Sequence, residues 1–144
     1  MTRSRLIAGL LAMALASPLA LAVAPSSDAA TMQMRDYRVR TKLRGNTRIE
    51  GNSKYLEKDR DRATERRFKA KIQFAPPMSR YTVLLNGRDI GSFQVNFLGV
   101  GALKYRTAQF NDDGDWRDMP NNFPRVVEGD RVSVGPVSGI YRED

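Results

Sequence analysis

Residues 37–44 read YRVRTKLR, and this stretch alternates strictly between two kinds of side chain. Successive side chains of a β-strand point to opposite faces, so such alternation is typical of a half-buried strand. The side chains expected to face inward are Tyr37, Val39, Thr41 and Leu43. The side chains expected on the solvent-exposed face form a cationic stripe, which consists of Arg38, Arg40, Lys42 and Arg44.

The same alternation recurs further along the chain. After a turn at Gly45-Asn46, a weaker alternating stretch covers 47–57, and a third strand follows at 68–74. Pro76-Pro77 ends the third strand, because proline lacks the N–H group that a strand ladder needs. The sequence therefore predicts three strands in the first half of the domain.

Asn86-Gly87 separates two apolar runs, 81–85 and 90–97. This dipeptide is typical of a two-residue hairpin, because both central residues of a type I′ turn need a positive φ. Another turn is expected at 99–101. The remaining strands are expected at 102–107, 126–127, 131–134 and 137–141.

Eight or nine short strands separated by turn residues predict an all-β fold. We expect a single small β-sandwich that is Ig-like in its general architecture, with a β-barrel as the alternative. The alternation predicts a core of Val39, Leu43, Ile49, Phe68, Ile72, Phe74, Val83, Phe93, Val95, Leu103, Tyr105, Val132 and Val134.

The segment 57–67 is the one candidate helix after the N-terminal region. Charges of like sign fall four residues apart in it, and they would repel each other on a helix surface. The segment also offers almost no apolar side chain to bury. We therefore expect a solvated hairpin end rather than a helix.

Residues 1–29 have the plan of a secretory signal peptide. Arg3 and Arg5 precede an uncharged stretch, 6–24, and small and polar residues follow it. That order is the one that signal peptidase substrates show, with cleavage expected near 22/23 or 29/30. The alternative is an uncleaved membrane anchor, because a spanning helix needs about 20 apolar residues. The signal peptide predicts export to the periplasm or the cell exterior.

Length and composition predict one domain, 31–144, after the signal peptide. The chain has no cysteine, and export without disulfides favours a bacterial periplasm or exterior. Residues 31–80 contain fifteen Lys or Arg against six Asp or Glu, whereas 81–144 contain seven against nine. Such asymmetry is typical of a surface for anionic partners.

Four runs of sequence carry a resemblance to a known family. They are RRFKAKIQFAPP at 66–77, YTVLLNGRDIGSF at 81–93, LGVGALKYRT at 98–107 and DDGDWRDMPNNFPRVVEGDRVSVGPVSGIY at 112–141. In these runs the chain resembles a family of short exported bacterial proteins that have no assigned activity. The resemblance implies an exported protein with a single β-domain, and it brings no catalytic, metal or ligand residues.

The residues that commonly carry enzyme chemistry are scarce. The chain has no histidine and no cysteine, so the usual neutral-pH base and the thiolate nucleophile are missing. It also has no Ser-x-x-Lys pair and no Gly-Lys-Ser/Thr phosphate loop. We therefore expect a protein that is not an enzyme and has no cofactor. A small hydrolase that uses two carboxylates is the alternative.

The loop 111–118 is the one concentrated acidic cluster. Asn111, Asp113 and Asp115 match the first three ligand positions of an EF-hand calcium loop, but Trp116 stands where that loop needs glycine. Asn122 also stands where a bidentate glutamate belongs. The pattern favours a solvated loop without a metal site, with Trp116 as its anchor or as a sugar-stacking platform.

The cationic stripe is the sharpest positive feature of the sequence. Its side chains would lie about 7 Å apart along the strand, which is close to the spacing of successive phosphates. The stripe contains no aromatic residue, so its binding would be electrostatic and unselective. We expect a binding or structural accessory protein of the cell envelope, whose stripe binds an anionic polysaccharide, a lipid headgroup or another polyanion.

Three alternatives to polyanion binding remain open. Lys and Arg also protect exposed strand edges, so the stripe has a purely structural interpretation. The protein could instead act as a subunit or an inhibitor of a protein partner, in which case it would show an exposed apolar patch. A hydrolase would show an open pocket at Asp112, Asp113 or Glu128.

Overall fold

The computed structural model describes residues 36–144. The predicted signal peptide, its cleavage sites and the alternative membrane anchor lie outside these residues. Between residues 36 and 144, no helix is long and apolar enough to cross a membrane.

Within residues 36–144, ten strands form two sheets. Sheet A has six strands in the order β10-β1-β2-β3-β6-β7, and sheet B has four in the order β5-β4-β8-β9. The strands are β1 Tyr37–Leu43, β2 Glu50–Arg60, β3 Ala63–Gln73, β4 Arg80–Leu85, β5 Arg88–Gln94, β6 Gly101–Arg106, β7 Arg117–Asp118, β8 Arg131–Val134, β9 Val137–Ile140 and β10 Arg142–Glu143. The all-β sandwich prediction is confirmed. The two sheets do not close into a barrel, so that alternative is wrong.

One core fills the space between the sheets. Every predicted core residue except Phe74 is at most 8% exposed. Phe74 is 64% exposed, because β3 ends at Gln73 and Phe74 leaves the strand direction with a φ of 60°. Further buried apolar side chains come from both sheets, from the connection between β7 and β8 and from the residue between β9 and β10, namely Tyr55, Leu85, Met119, Phe123, Val126, Val137 and Tyr141.

The two hairpin predictions are confirmed. Strands β2 and β3 pair along their whole length and turn at 61–62, so the segment 57–67 is not a helix. At the second hairpin, Asn86 and Gly87 have φ values of 50° and 81°, as a type I′ turn requires. One strand prediction is wrong, because the segment 126–127 is irregular although Val126 is buried.

Candidate functional site

Strand register assembles a row of cations across the outer face of sheet A. It pairs Arg142 with Arg40, Arg40 with Lys54, Lys54 with Lys69, and Lys69 with Lys104. Directly paired side chains on one face of a sheet lie about 5 Å apart. These five residues, here called the central row, therefore form a continuous line of positive charge over five neighbouring strands.

Two flanking rows extend the positive charge along the strands. One flanking row contains Lys42, Asn52 and Lys71, and the other contains Arg38, Leu56, Arg67 and Arg106. Side chains two residues apart on a strand share a face at a spacing of about 7 Å. The three rows, here called the cationic face, thus place ten Lys or Arg on one side of one sheet.

Three residues of the predicted stripe lie on β1 within the cationic face, between Arg142 on β10 and the cations of β2. Arg38, Arg40 and Lys42 are exposed on β1 as the alternation indicates. Arg44 lies just beyond β1, and its backbone exchanges two hydrogen bonds of 3.0 Å with Ser138 of sheet B. Its side chain still lines a groove together with Lys42 and Lys71. The stripe is therefore continuous, although its last residue is held by the other sheet.

Most of the cationic face lacks neutralising carboxylates. Arg40 pairs with Asp144 at 2.7 Å, and Lys104 lies 3.8 Å from Asp115. Among the carboxylates of residues 36–144, none lies within 4.0 Å of six other cations of the face, which are Arg38, Lys42, Lys54, Lys69, Lys71 and Arg142. The centre of the face therefore carries uncompensated positive charge.

Lys69 lies in the central row, and its pKa is affected by the neighbouring charges. Burial lowers the pKa of Lys69 below its ordinary value, and the positive charges of neighbouring lysines lower it further. These neighbours are Lys104, Lys71 and Lys54. Like charges directly opposite each other destabilise a sheet, so an anion bound here would relieve a repulsion that the folded protein contains.

Glu65 neutralises one corner of the cationic face. Its side chain is 2% exposed, and its carboxylate receives hydrogen bonds from Arg60, Arg67 and Arg106. Burial alone raises the pKa of Glu65, but these arginines outweigh that effect and hold the pKa below its ordinary range. The expectation that the whole 57–67 hairpin end is solvated is wrong at this residue.

A shallow groove of about 220 Å³ adds apolar surface to the cationic face. Trp116 reaches it from the loop that precedes β7, and the Lys104 ammonium lies 5.9 Å from the centre of the indole ring. The groove is lined by Arg38, Lys54, Tyr55, Leu56, Arg67, Lys69, Trp116 and Asp144. The stripe has no aromatic residue of its own, but the fold places one beside it.

The acidic loop 111–118 folds against the edge of the cationic face. Asp112 accepts a hydrogen bond from Arg106 at 3.0 Å. Asn111 donates to the Trp116 carbonyl at 3.0 Å and to Asp118 at 2.7 Å. In the part of the chain that the structure describes, no three acidic side chains are grouped to hold a metal ion. The loop's polar groups orient Trp116 and contact Arg106 and Lys104 of the cationic face.

No family model and no curated protein matches this chain. The function is therefore inferred from the geometry of the cationic face. A flat array of cations can bind an extended anion by charge alone, and an aromatic ring beside it can stack on a planar group of the same ligand.

Proposed function

We propose that the protein is an exported, non-catalytic binding protein of the cell envelope whose cationic face holds an extended polyanion. The observation that carries this proposal is the central row, in which Lys54, Lys69 and Lys104 lie opposite one another on three neighbouring strands. Fixed lysines in this arrangement repel each other in the free protein. A bound line of phosphate, sulfate or carboxylate groups reverses that repulsion.

Edge protection does not explain these lysines. Protective cations belong on the edge strands of a sheet, where unpaired backbone groups attract other chains. The edges of sheet A are β10 and β7, whereas Lys54 and Lys69 lie on β2 and β3, which have hydrogen-bonded neighbours on both sides. A purely structural outer face is also stabilised by opposite charges across neighbouring strands. The central row has the opposite arrangement.

The chemistry of the cationic face favours a ligand that is recognised by its charge and shape. Lysine and arginine contacts to phosphate or sulfate carry no sequence information. Trp116 adds a stacking surface that fits the face of a sugar ring or a base. An acidic polysaccharide of the envelope satisfies both features, and heparin and single-stranded oligonucleotides are suitable probes for the shared chemistry.

A salt titration tests the proposal. The variant Lys54→Ser/Lys69→Ser/Lys104→Ser removes three contacts, and single strands lose about 0.7 in the slope of log affinity against log salt for each contact. The slope for a single-stranded oligonucleotide should therefore become shallower by about 2. The matched control Arg62→Ser/Arg88→Ser/Arg131→Ser removes equal charge from exposed positions outside the face and should retain the wild-type slope.

The stripe provides a second, independent variant. Arg38→Ser/Arg40→Ser/Lys42→Ser/Arg44→Ser removes four cations, so the slope should become shallower by about 3. If the wild-type protein binds neither heparin nor oligonucleotide at low salt, the proposal is wrong. Equal losses in the face variants and in the control would also contradict it, because the binding would then depend on net charge alone.

A further inference from the structure

Large apolar side chains are exposed on two neighbouring loops at one end of the sandwich. Phe74 and Met78 lie on the β3–β4 loop and are 64% and 58% exposed, and Phe97 and Leu98 lie on the β5–β6 loop and are 74% and 71% exposed. Within residues 36–144, only two other large apolar side chains are exposed, Val127 and Ile140. The exposure is therefore concentrated in one place.

The two loops are rigidly joined. Ala75 N–H donates to Gly99 O at 3.1 Å, Met78 N–H to Asn96 O at 3.3 Å, and Val95 N–H to Ser79 O at 2.8 Å. Gly99 is needed for this approach, because a Cβ there would lie 2.6 Å from the Ala75 oxygen. Loops held in this way present their apolar side chains in a defined arrangement.

The backbone of the β3–β4 loop is strained where it exposes these side chains. Phe74 and Met78 have φ values of 60° and 62°, which are unfavourable for residues other than glycine. Strain of this kind persists where the surrounding structure imposes it, and it is common at binding sites. Here it turns Phe74 out of the core alternation and into solvent.

Charge distinguishes this end of the sandwich, here called the apolar end, from the opposite end. Antiparallel pairing brings four connections together at the apolar end, 44–49, 74–79, 95–100 and 135–136. Their only charged residues are Arg44 and Arg48. The opposite end carries the turns 61–62 and 86–87 and the segment 107–130, which includes β7 and whose loop 111–118 folds along the edge of the cationic face. Together they contain seven Asp or Glu against three Lys or Arg.

We infer that the apolar end inserts into the interfacial region of an anionic lipid bilayer. Apolar and aromatic side chains flanked by arginine suit the boundary between acyl chains and headgroups. Lys and Arg close to the surface are attracted by anionic lipids. The acidic connections at the opposite end would then point away from the negative surface. This inference uses the loop residues and does not depend on polyanion binding by the cationic face.

Depth-dependent quenching tests the insertion directly. Trp116 is the one tryptophan of the chain, so Trp116→Phe gives a background without tryptophan. In that background, Phe97→Trp places a single reporter at the apolar end, and Val127→Trp places the matched control at the opposite end. The probe is a vesicle of equal parts phosphatidylglycerol and phosphatidylcholine with brominated acyl chains.

The expected result is a blue shift and strong quenching for the Phe97→Trp reporter, with little change for the Val127→Trp reporter. This readout reports the position of the loop, whichever form of the N-terminal region the isolated protein retains. Absence of quenching at position 97, or equal quenching at both positions, would overturn the inference. If the protein still binds polyanions when either of these two results is obtained, the membrane inference is wrong but the proposed function stands.

A loss-of-binding variant provides the second measurement. Phe97→Ser/Leu98→Ser should lower the partition coefficient for these vesicles by about ten-fold or more, because burial of each apolar side chain favours partitioning. The control Val127→Ser/Ile140→Ser removes two exposed apolar side chains elsewhere and should leave the partition coefficient unchanged. Circular dichroism checks that both variants fold. If the wild-type protein instead self-associates in sedimentation, and Phe97→Ser/Leu98→Ser abolishes that without any vesicle binding, the apolar end is a protein contact and the inference is wrong.

Discussion

The carboxylate of Glu65 accepts a hydrogen bond from Arg106 Nε at 2.8 Å, which joins β3 to β6 on the outer side of sheet A. Arg60 and Arg67 donate to the same carboxylate. One buried negative charge thus holds three arginines at the end of a face on which most of the other cations have no carboxylate of residues 36–144 within 4.0 Å. The stability of the domain should therefore depend on this carboxylate, and polyanion binding on the lysines beside it.

Glu65→Gln should lower the free energy of unfolding by about 2 kcal/mol, the range typical of hydrogen bonds to a charged group. The pKa of Glu65 is lowered in the folded protein. Its contribution is therefore fully present above the unfolded value of about 4.3 and is lost as the pH falls through the lowered folded value. Urea unfolding at a series of pH values should show wild type and variant converging in acid, whereas Glu143→Gln, at an exposed position, should match the wild type throughout. A difference that persists unchanged in acid would contradict this role.

Lys69→Thr should stabilise the free protein and weaken its binding to polyanions. The substitution removes a cation that is surrounded by other lysines and introduces a residue that favours strands, so we expect a gain of about 0.5 kcal/mol. Thermal unfolding with and without heparin measures both effects, since a ligand of the folded state raises its melting temperature. Arg131→Thr, on sheet B, should leave the heparin effect unchanged. A destabilised Lys69→Thr protein would show that repulsion at the central row is negligible.

As the pH rises, polyanion binding should weaken at a lower pH than it would if all lysines of the face had the ordinary lysine pKa. The lowered pKa of Lys69 means that its charge is lost below the usual value of about 10.4. A bound anion favours the charged form, so binding raises this pKa and takes up protons in that pH range. Titration calorimetry in two buffers of different ionisation enthalpy measures the uptake. Lys69→Thr should reduce it, and an identical uptake in that variant would assign the titration to another group.

Binding at the cationic face should change the fluorescence of Trp116, which is the one tryptophan of the chain. Saturating heparin or oligonucleotide should alter its emission, and high salt should reverse the change. Trp116→Ala should weaken oligonucleotide binding by about 1–3 kcal/mol, as for base stacking on an aromatic ring, with an unchanged salt slope. If Trp116 emission does not change when an oligonucleotide binds, the ligand binds elsewhere on the protein.

Local patterns predicted the strands and hairpins well. The alternation at 37–44 identified β1 and its exposed cations, and Asn86-Gly87 identified a hairpin with both φ values positive. These features depend on neighbours in the sequence, because side-chain direction along a strand and the conformation of a tight turn are local properties. The core prediction failed at Phe74, because a loop contact, rather than the alternation of the strand, sets its backbone conformation.

The amino-acid sequence by itself determined that this chain forms an all-β fold with cations on one side of a strand, and the structure decided that the strands form a sandwich rather than a barrel. Only the tertiary structure decided which strands lie beside that cationic strand, and hence that Lys54, Lys69 and Lys104 form one row. It also decided that Glu65 is buried by arginines and that Trp116 returns to the cationic face from a distant loop. Strand order and register depend on how remote segments pack around a shared core, and no local period encodes that packing.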